Sequence, residues 1–184
     1  MIEINAKIFT EMLSKNNINE NELQTLAVEA LLKYGKKAAT AESCTGGLIS
    51  KRITEVSGSS AVFECGVCSY SNRIKHKILG VKESTLNSVG AVSPETAAQM
   101  AQGIRKLADA DFGVSSTGIA GPTGGTAEKP VGLVYMAISD KDKTIVIKGN
   151  FSDADDNSRE GIRRITSSTA LFYLLKMLKG GNFT

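Results

Sequence analysis

The sequence contains no tryptophan, and aromatic residues make up only 5% of it. A stacking platform for single-stranded nucleic acid needs more flat rings than that, so this class of function is disfavoured at the outset. Charge of one sign is also scarce in excess: the formal net charge is +3, too small to imply nucleic-acid binding by itself. Histidine occurs once, as His76, which leaves a serine–histidine–acid triad a single possible base. Beside lysines on a helix, that histidine reads as exposed. No apolar run approaches the roughly 20 residues that span a bilayer. Met1–Asn17 carries Glu3 early and lacks a long apolar centre, so it does not read as a secretory signal. The cysteines are Cys44, Cys65 and Cys68, an odd number. Cys65 and Cys68 form a lone C-x-x-C in a strand-like run, where they face opposite sides. One more cysteine and one histidine are a poor supply for a zinc site. The expectation is small core or sheet residues in a reducing, cytoplasmic compartment, with no metal and no membrane.

What is present suits an enzyme-sized globule. A chain of 184 residues, 41% hydrophobic and 22% charged, is long enough to bury a core as one domain. Eighteen glycines against three prolines make glycine position informative. They cluster at 46–47, 118–125 and 180–181. Arg73, Lys75, Lys77 and Lys82 lie in a stretch free of acids between Glu64 and Glu83. Two readings stay open there: a solvated helix face, or a lysine kept near an anionic substrate.

Residues 1–18 read as an N-terminal arm or extra helix, with apolar positions at Ile4, Ile8 and Met12, and 19–184 as the domain proper. Asn19 followed by Glu22 resembles a capping box, and Leu23, Leu26, Ala27, Ala30, Leu31 and Tyr34 then recur at helical spacing until Gly35. Strands are expected at about 37–41, 61–70, 112–116, 131–139 and 144–151. Helices are expected at 48–56, 72–79, from the Ser93-Pro94-Glu95 start onward, and at about 159–179. Helices interleaved with strands imply parallel pairs joined by crossovers, and the hairpin at Asp140–Lys143 adds an antiparallel strand. The fold class is therefore α/β: a three-layer α/β/α domain on a mixed, mostly parallel sheet of about five strands.

In such sheets, ligands bind where strand ends, loops and helix N-termini converge. The loop Ala41–Gly47 places Ser43, Cys44 and Thr45 before a helix whose free amides could favour an anion. Thr117–Gly125 packs Gly118, Gly121, Gly124 and Gly125 with Pro122 after the most apolar strand, and bare glycine lets backbone approach a ligand. The plainer readings are a helix cap with a close crossing, and an ordinary surface loop. Neither loop matches a Walker A or Rossmann pattern.

Several segments nevertheless occur together and in order: Thr40-Ala41-Glu42-Ser43-Cys44-Thr45-Gly46-Gly47, Gly58-Ser59-Ser60, Tyr70-Ser71-Asn72, Lys75, Gly90-Ala91-Val92-Ser93, Gly118-Ile119-Ala120-Gly121-Pro122 and Lys129-Pro130-Val131-Gly132. In this arrangement the chain closely resembles the CinA C-terminal domain family, the nicotinamide-nucleotide amidases, over about residues 20–178. The resemblance implies hydrolysis of the carboxamide of nicotinamide mononucleotide to nicotinate mononucleotide and ammonia, with no cofactor. It implies Ser43 as nucleophile, with Tyr70, Lys75 and Thr117 as further catalytic groups. Thr45, Gly46, Gly47, Asn72 and the glycines 118, 121, 124 and 125 are the expected substrate contacts. It also implies a homo-oligomer acting on a small pyridine nucleotide. Longer members carry a separate N-terminal pyrophosphatase-type domain, for which 184 residues leave no room.

The chemistry is coherent. An amide carbon is a poor electrophile, so a serine nucleophile needs a base and an oxyanion hole. With histidine scarce, Tyr70 or Lys75 must serve, and both have ordinary pKa values near 10 that must come down. Cys44 is the rival nucleophile, since adjacent residues cannot both face the substrate. Physics leaves the two nearly balanced; the resemblance favours Ser43. One departure stands out. Relatives usually carry Gly-Asp-Arg after the phenylalanine of the last strand, whereas Phe151-Ser152 here runs into the longer acidic segment Asp153–Ser158. Arg159 or Arg163 is the candidate replacement. That departure motivates the alternative of a catalytically idle nucleotide-binding module, and nucleic-acid binding through Arg73–Lys82 ranks last.

Overall fold

The computed structural model describes residues 1–181. Its strands are β1 (Ile2–Asn5), β2 (Ala38–Glu42), β3 (Phe63–Cys68), β4 (Phe112–Gly118), β5 (Leu133–Ser139) and β6 (Thr144–Asn150). Its helices are α1 (Ala6–Lys15), α2 (Leu23–Tyr34), α3 (Leu48–Thr54), α4 (Asn72–Leu79), α5 (Glu83–Ser88), α6 (Pro94–Leu107) and α7 (Arg159–Leu178). The strands form one sheet in the order β1-β6-β5-β4-β2-β3. β2 runs parallel to both β3 and β4, β5 is antiparallel to β4 and β6, and β1 is parallel to β6.

Local chemistry accounts for most boundaries. The Ser93 hydroxyl accepts from the Thr96 amide at 3.2 Å, and Pro94 opens α6 with its preset φ. Gly35 ends α2 in the left-handed region, at φ +59°. At the β5–β6 turn, Asp140 Oδ1 accepts from the amides of Asp142 and Lys143 at 2.8 and 2.7 Å.

The sheet has six strands rather than about five, and the sixth comes from the N-terminal segment. Ile2–Asn5 pairs with β6, and the Asn5 side chain then accepts from the Ile8 amide at 2.8 Å and starts α1. Because the helix begins at Ala6, its inner face is Ala6, Phe9 and Leu13, while Ile8 is exposed and Met12 half-buried. The expected stripe Ile4, Ile8 and Met12 is therefore replaced. Asn19 caps a short 3-10 turn, Glu20–Glu22, ahead of α2 rather than α2 itself. α5 was not expected from the pattern, for only Leu86 of its residues is buried.

Two layers of helix cover the sheet. The larger core joins α1, α2, α3 and α7 to one face through Phe9, Leu31, Ile49, Ile53, Met136, Ile147 and Phe172. On the other face α4, α5 and α6 pack through Leu79, Leu86, Met100 and Ile104 onto Ala39 and Ala41 of β2. β2 is buried along its whole length, so its carboxyl end delivers the next residues between the two layers.

Candidate active site

Strand alternation decides which residue after β2 faces which layer. Ala39 and Ala41 pack on the α4–α6 side, and Ser43 continues that face. Glu42 and Cys44 point the other way. Cys44 lies in the larger core at 6% exposure, and burial pushes its thiol up to about 12. A thiol so placed is neither ionised nor accessible, whereas Ser43 is half-buried at the sheet end.

Lys75 reaches Ser43 from α4. The Ser71 side chain caps that helix, accepting from the Ile74 amide at 3.3 Å, and the first turns then run back over the end of β3. The Lys75 side chain is 1% exposed, and its amine lies 3.0 Å from Ser43 Oγ. It also donates to the Ser69 carbonyl at 2.7 Å and the Tyr70 carbonyl at 3.4 Å. Burial lowers its pKa from 10.5 to about 8. Of the basic stretch, only Lys75 turns inward; Arg73, Lys77 and Lys82 are exposed, as is His76, whose Nδ1 lies 2.9 Å from the Val81 carbonyl.

The other expected catalytic residues stand differently. The Tyr70 ring is 70% exposed and its hydroxyl does not meet Lys75; it lies 3.5 Å from Arg159 Nη2. Ser69 takes the inward position at the end of β3, so Tyr70 is turned outward and offers Lys75 only its carbonyl. Thr117 is buried, and its hydroxyl donates to the Ala91 carbonyl at 2.8 Å, tying β4 to the loop before α6. Asn72 opens α4 in an exposed position. Thr45 is fully buried, its hydroxyl 2.6 Å from both Glu42 Oε2 and Ser116 Oγ.

The expected anion cradle at the start of α3 is already filled. Glu42 Oε2 accepts from the amides of Gly47 (2.9 Å) and Ile49 (3.0 Å), and Oε1 from the Ser50 amide (2.8 Å) and hydroxyl (2.6 Å). Its carboxylate is the anion that this helix end holds. In the second loop, glycine also serves packing. A Cβ on Gly118 would lie 2.7 Å from the Leu133 carbonyl, on Gly121 2.6 Å from Val131 Cγ1, and on Gly125 2.8 Å from the Val131 amide. At these three positions glycine lets the loop pack on the entry to β5. Only Gly124 is exposed with open space about it, and its φ is +89°. Gly46 and Gly47 both sit at positive φ, which the turn after Ser43 requires.

Both candidate arginines of the departing segment come back to this site. Arg159 Nη1 donates to the Gly121 carbonyl at 2.8 Å. Arg163 donates to the Thr45 carbonyl through Nε at 3.1 Å and Nη2 at 2.8 Å. Lys129 pins the glycine-rich loop to the carbonyls of Val89 and Val92 at 2.8 and 2.9 Å. Among the described residues no three His, Cys, Asp or Glu side chains are placed to hold a metal ion, and no helix is long and apolar enough to cross a membrane.

Sequence reasoning missed Glu42 and Ser69 as site residues. Glu42 left one signal, a carboxylate closing a fully buried strand of small residues directly before the candidate nucleophile. Ser69 left none.

Comparison with known proteins identifies the family. The family model described as CinA C-terminal domain matches residues 20–178. A relative from Thermoanaerobacter pseudethanolicus is 52% identical over 163 residues, which are 89% of this chain and 38% of that protein. A CinA-like protein from Syntrophomonas wolfei is 45% identical over 183 residues, 98% of this chain and 43% of the relative. The chain thus spans about two fifths of the length of these relatives. Among solved structures, the competence/damage inducible protein CihA from Agrobacterium tumefaciens superimposes with a TM-score of 0.82 at 43% identity, covering 87% of this chain and 95% of that one. A CinA superfamily protein from Klebsiella pneumoniae gives 0.82 at 30% identity, with 88% and 99% covered. With a matching family model over most of its length and relatives this close, the chain belongs to the CinA C-terminal domain family.

Proposed function

We propose that the domain is an amidohydrolase that converts nicotinamide mononucleotide to nicotinate mononucleotide and ammonia through an acyl-enzyme on Ser43. The observation that carries this reading is the buried Lys75 amine 3.0 Å from Ser43 Oγ. A pKa of about 8 leaves about one amine in ten neutral at pH 7 and about half at pH 8. That is the range in which a general base works best.

In the proposed cycle, neutral Lys75 takes the Ser43 proton as Oγ attacks the carboxamide carbon. The resulting ammonium protonates the departing nitrogen, which leaves as ammonia. Water then enters, gives a proton to Lys75 and attacks the acyl carbon, and Ser43 recovers its proton as nicotinate mononucleotide departs. The amides of Cys44 and Thr45, directly after the nucleophile, are the candidate oxyanion donors. With the start of α3 taken by Glu42, the phosphate is assigned to the side of Arg159. Tyr70 is assigned to the rim of the site, where an exposed ring can lie along the pyridine or ribose, rather than to the proton path.

Ammonia release from nicotinamide mononucleotide tests the reading. Wild type and Cys44→Ala are expected to turn over, and Ser43→Ala to lose at least about a thousandfold in kcat. Folded wild type that releases no ammonia at millimolar substrate sinks it. Binding without turnover would instead favour the idle nucleotide module.

A further inference from the structure

We infer that Glu42 is the positioning residue of this site, holding the nucleophile through its carboxylate and the base through its main chain. The inference rests on the Ser43–Lys75 reading and deepens it. No step of the cycle uses Glu42, and it touches neither Ser43 Oγ nor Lys75 Nζ. Yet both partners hang from it. On the nucleophile side, its carboxylate gathers the Thr45 hydroxyl, the Gly47, Ile49 and Ser50 amides and the Ser50 hydroxyl, all within 3.0 Å. These donors lie just after Ser43, so the turn Ser43–Gly47 is held at its far end, while the Ser43 amide is fixed to the Ser116 carbonyl at 3.0 Å. On the base side, the Glu42 carbonyl accepts from the Ser69 amide at 2.8 Å, and the Ser69 carbonyl accepts from Lys75 at 2.7 Å.

The charge matters to this role. Glu42 is fully buried and makes no ion pair among the described residues; amide and hydroxyl donors surround it instead. Five donors aimed at two oxygens leave no acceptable orientation for a carboxamide, because its NH2 must face an N–H or O–H donor whichever way it lies. A helix cap of purely structural value would change stability alone. A positioning residue changes the rate at Ser43 in protein that is still folded, because a misplacement of about 1 Å can cost about a hundredfold.

The test measures reaction of Ser43 with a small fluorophosphonate, in which Oγ displaces fluoride from phosphorus as Lys75 takes the proton. The rate constant is read by intact mass on wild type, Glu42→Gln and Ser50→Ala, with thermal unfolding followed alongside. Folded Glu42→Gln is expected to label about 10- to 100-fold more slowly than wild type. Ser50→Ala removes one donor of the five and is expected to slow labelling about threefold, so it serves where Glu42→Gln fails to fold. Labelling at the wild-type rate by folded Glu42→Gln, or by Ser50→Ala in its place, overturns the proposal. If wild type labels but releases no ammonia from nicotinamide mononucleotide, the amidase reading fails and the Glu42 comparison still decides. If folded wild type does not label at all, Ser43 is not activated and both readings fall.

Discussion

Burial is what brings the Lys75 amine toward neutrality at physiological pH, and the same burial loads the folded state. Its folded pKa is about 8 against 10.5 for the free side chain. Below about pH 8 both folded and unfolded chains carry the proton, and the fold bears the whole desolvation cost. Between the two values the unfolded chain binds more protons, so stability rises with pH, and above 10.5 the cost is gone. Activity should follow the same group: kcat rises through a single limb near pH 8 and then levels, a profile that titration of ammonia release checks. A flat profile from pH 6 to 9 would remove Lys75 from the base role. Lys75→Met should release no ammonia yet unfold at a higher temperature than wild type at pH 7, by about 1–3 kcal/mol of added stability. At this scale the sequence was legible where an element fixed the direction. A strand ending at Glu42 must turn Ser43 and Cys44 to opposite layers, and the structure then says which layer is the core. Tyr70 shares a short segment with Lys75, but nearness in sequence says nothing of which way its ring turns, and the ring is exposed. Glu42 stood out only as a carboxylate at the strand end, and its role as a ligand of α3 depends on how that end meets the next helix.

Elements were readable in proportion to how local their causes are. The Ser93-Pro94 start, the Gly35 stop and the Asp140 turn are each set by a few adjacent residues, and each is found where the pattern placed it. β1 has only four residues, and its partner is β6, far along the chain, so nothing nearby marks it as a strand. The β1–α1 unit is more than an arm. Phe9 is 1% exposed and meets the Phe172 ring edge to face at 5.9 Å, so the unit completes the core around α7. Phe9→Ala is expected to cost about 3–5 kcal/mol, measured by urea unfolding, because it deletes a fully buried ring and leaves a cavity beside Phe172. A cost under about 1 kcal/mol would mean that the unit docks loosely and the domain proper is self-sufficient.

Taken whole, the molecule closes on its site from both ends of the chain. The N-terminal unit holds the departing acidic segment, with Asp153 Oδ1 accepting from the Ala6 amide at the start of α1 at 3.0 Å. That segment leads into α7, whose first turns send Arg159 to the glycine-rich loop and Arg163 to the turn after Ser43. Arg159 thereby spans the rim, gripping Gly121 on one side and lying near the exposed Tyr70 hydroxyl on the other. The altered segment therefore keeps an arginine at the site, which argues for a working pocket over an idle one. Because Arg159 touches neither Ser43 nor Lys75, its part should be in holding the anionic end of the substrate. Arg159→Ala is expected to raise KM for nicotinamide mononucleotide about tenfold, with kcat within about threefold of wild type. Arg159→Lys should recover little of that loss, for an ammonium lacks the planar fork with which one guanidinium can hold the Gly121 carbonyl and still present paired N–H groups to a phosphate. A fall in kcat at unchanged KM would move Arg159 from recognition to loop positioning, and would return the phosphate to a part of the rim not yet named.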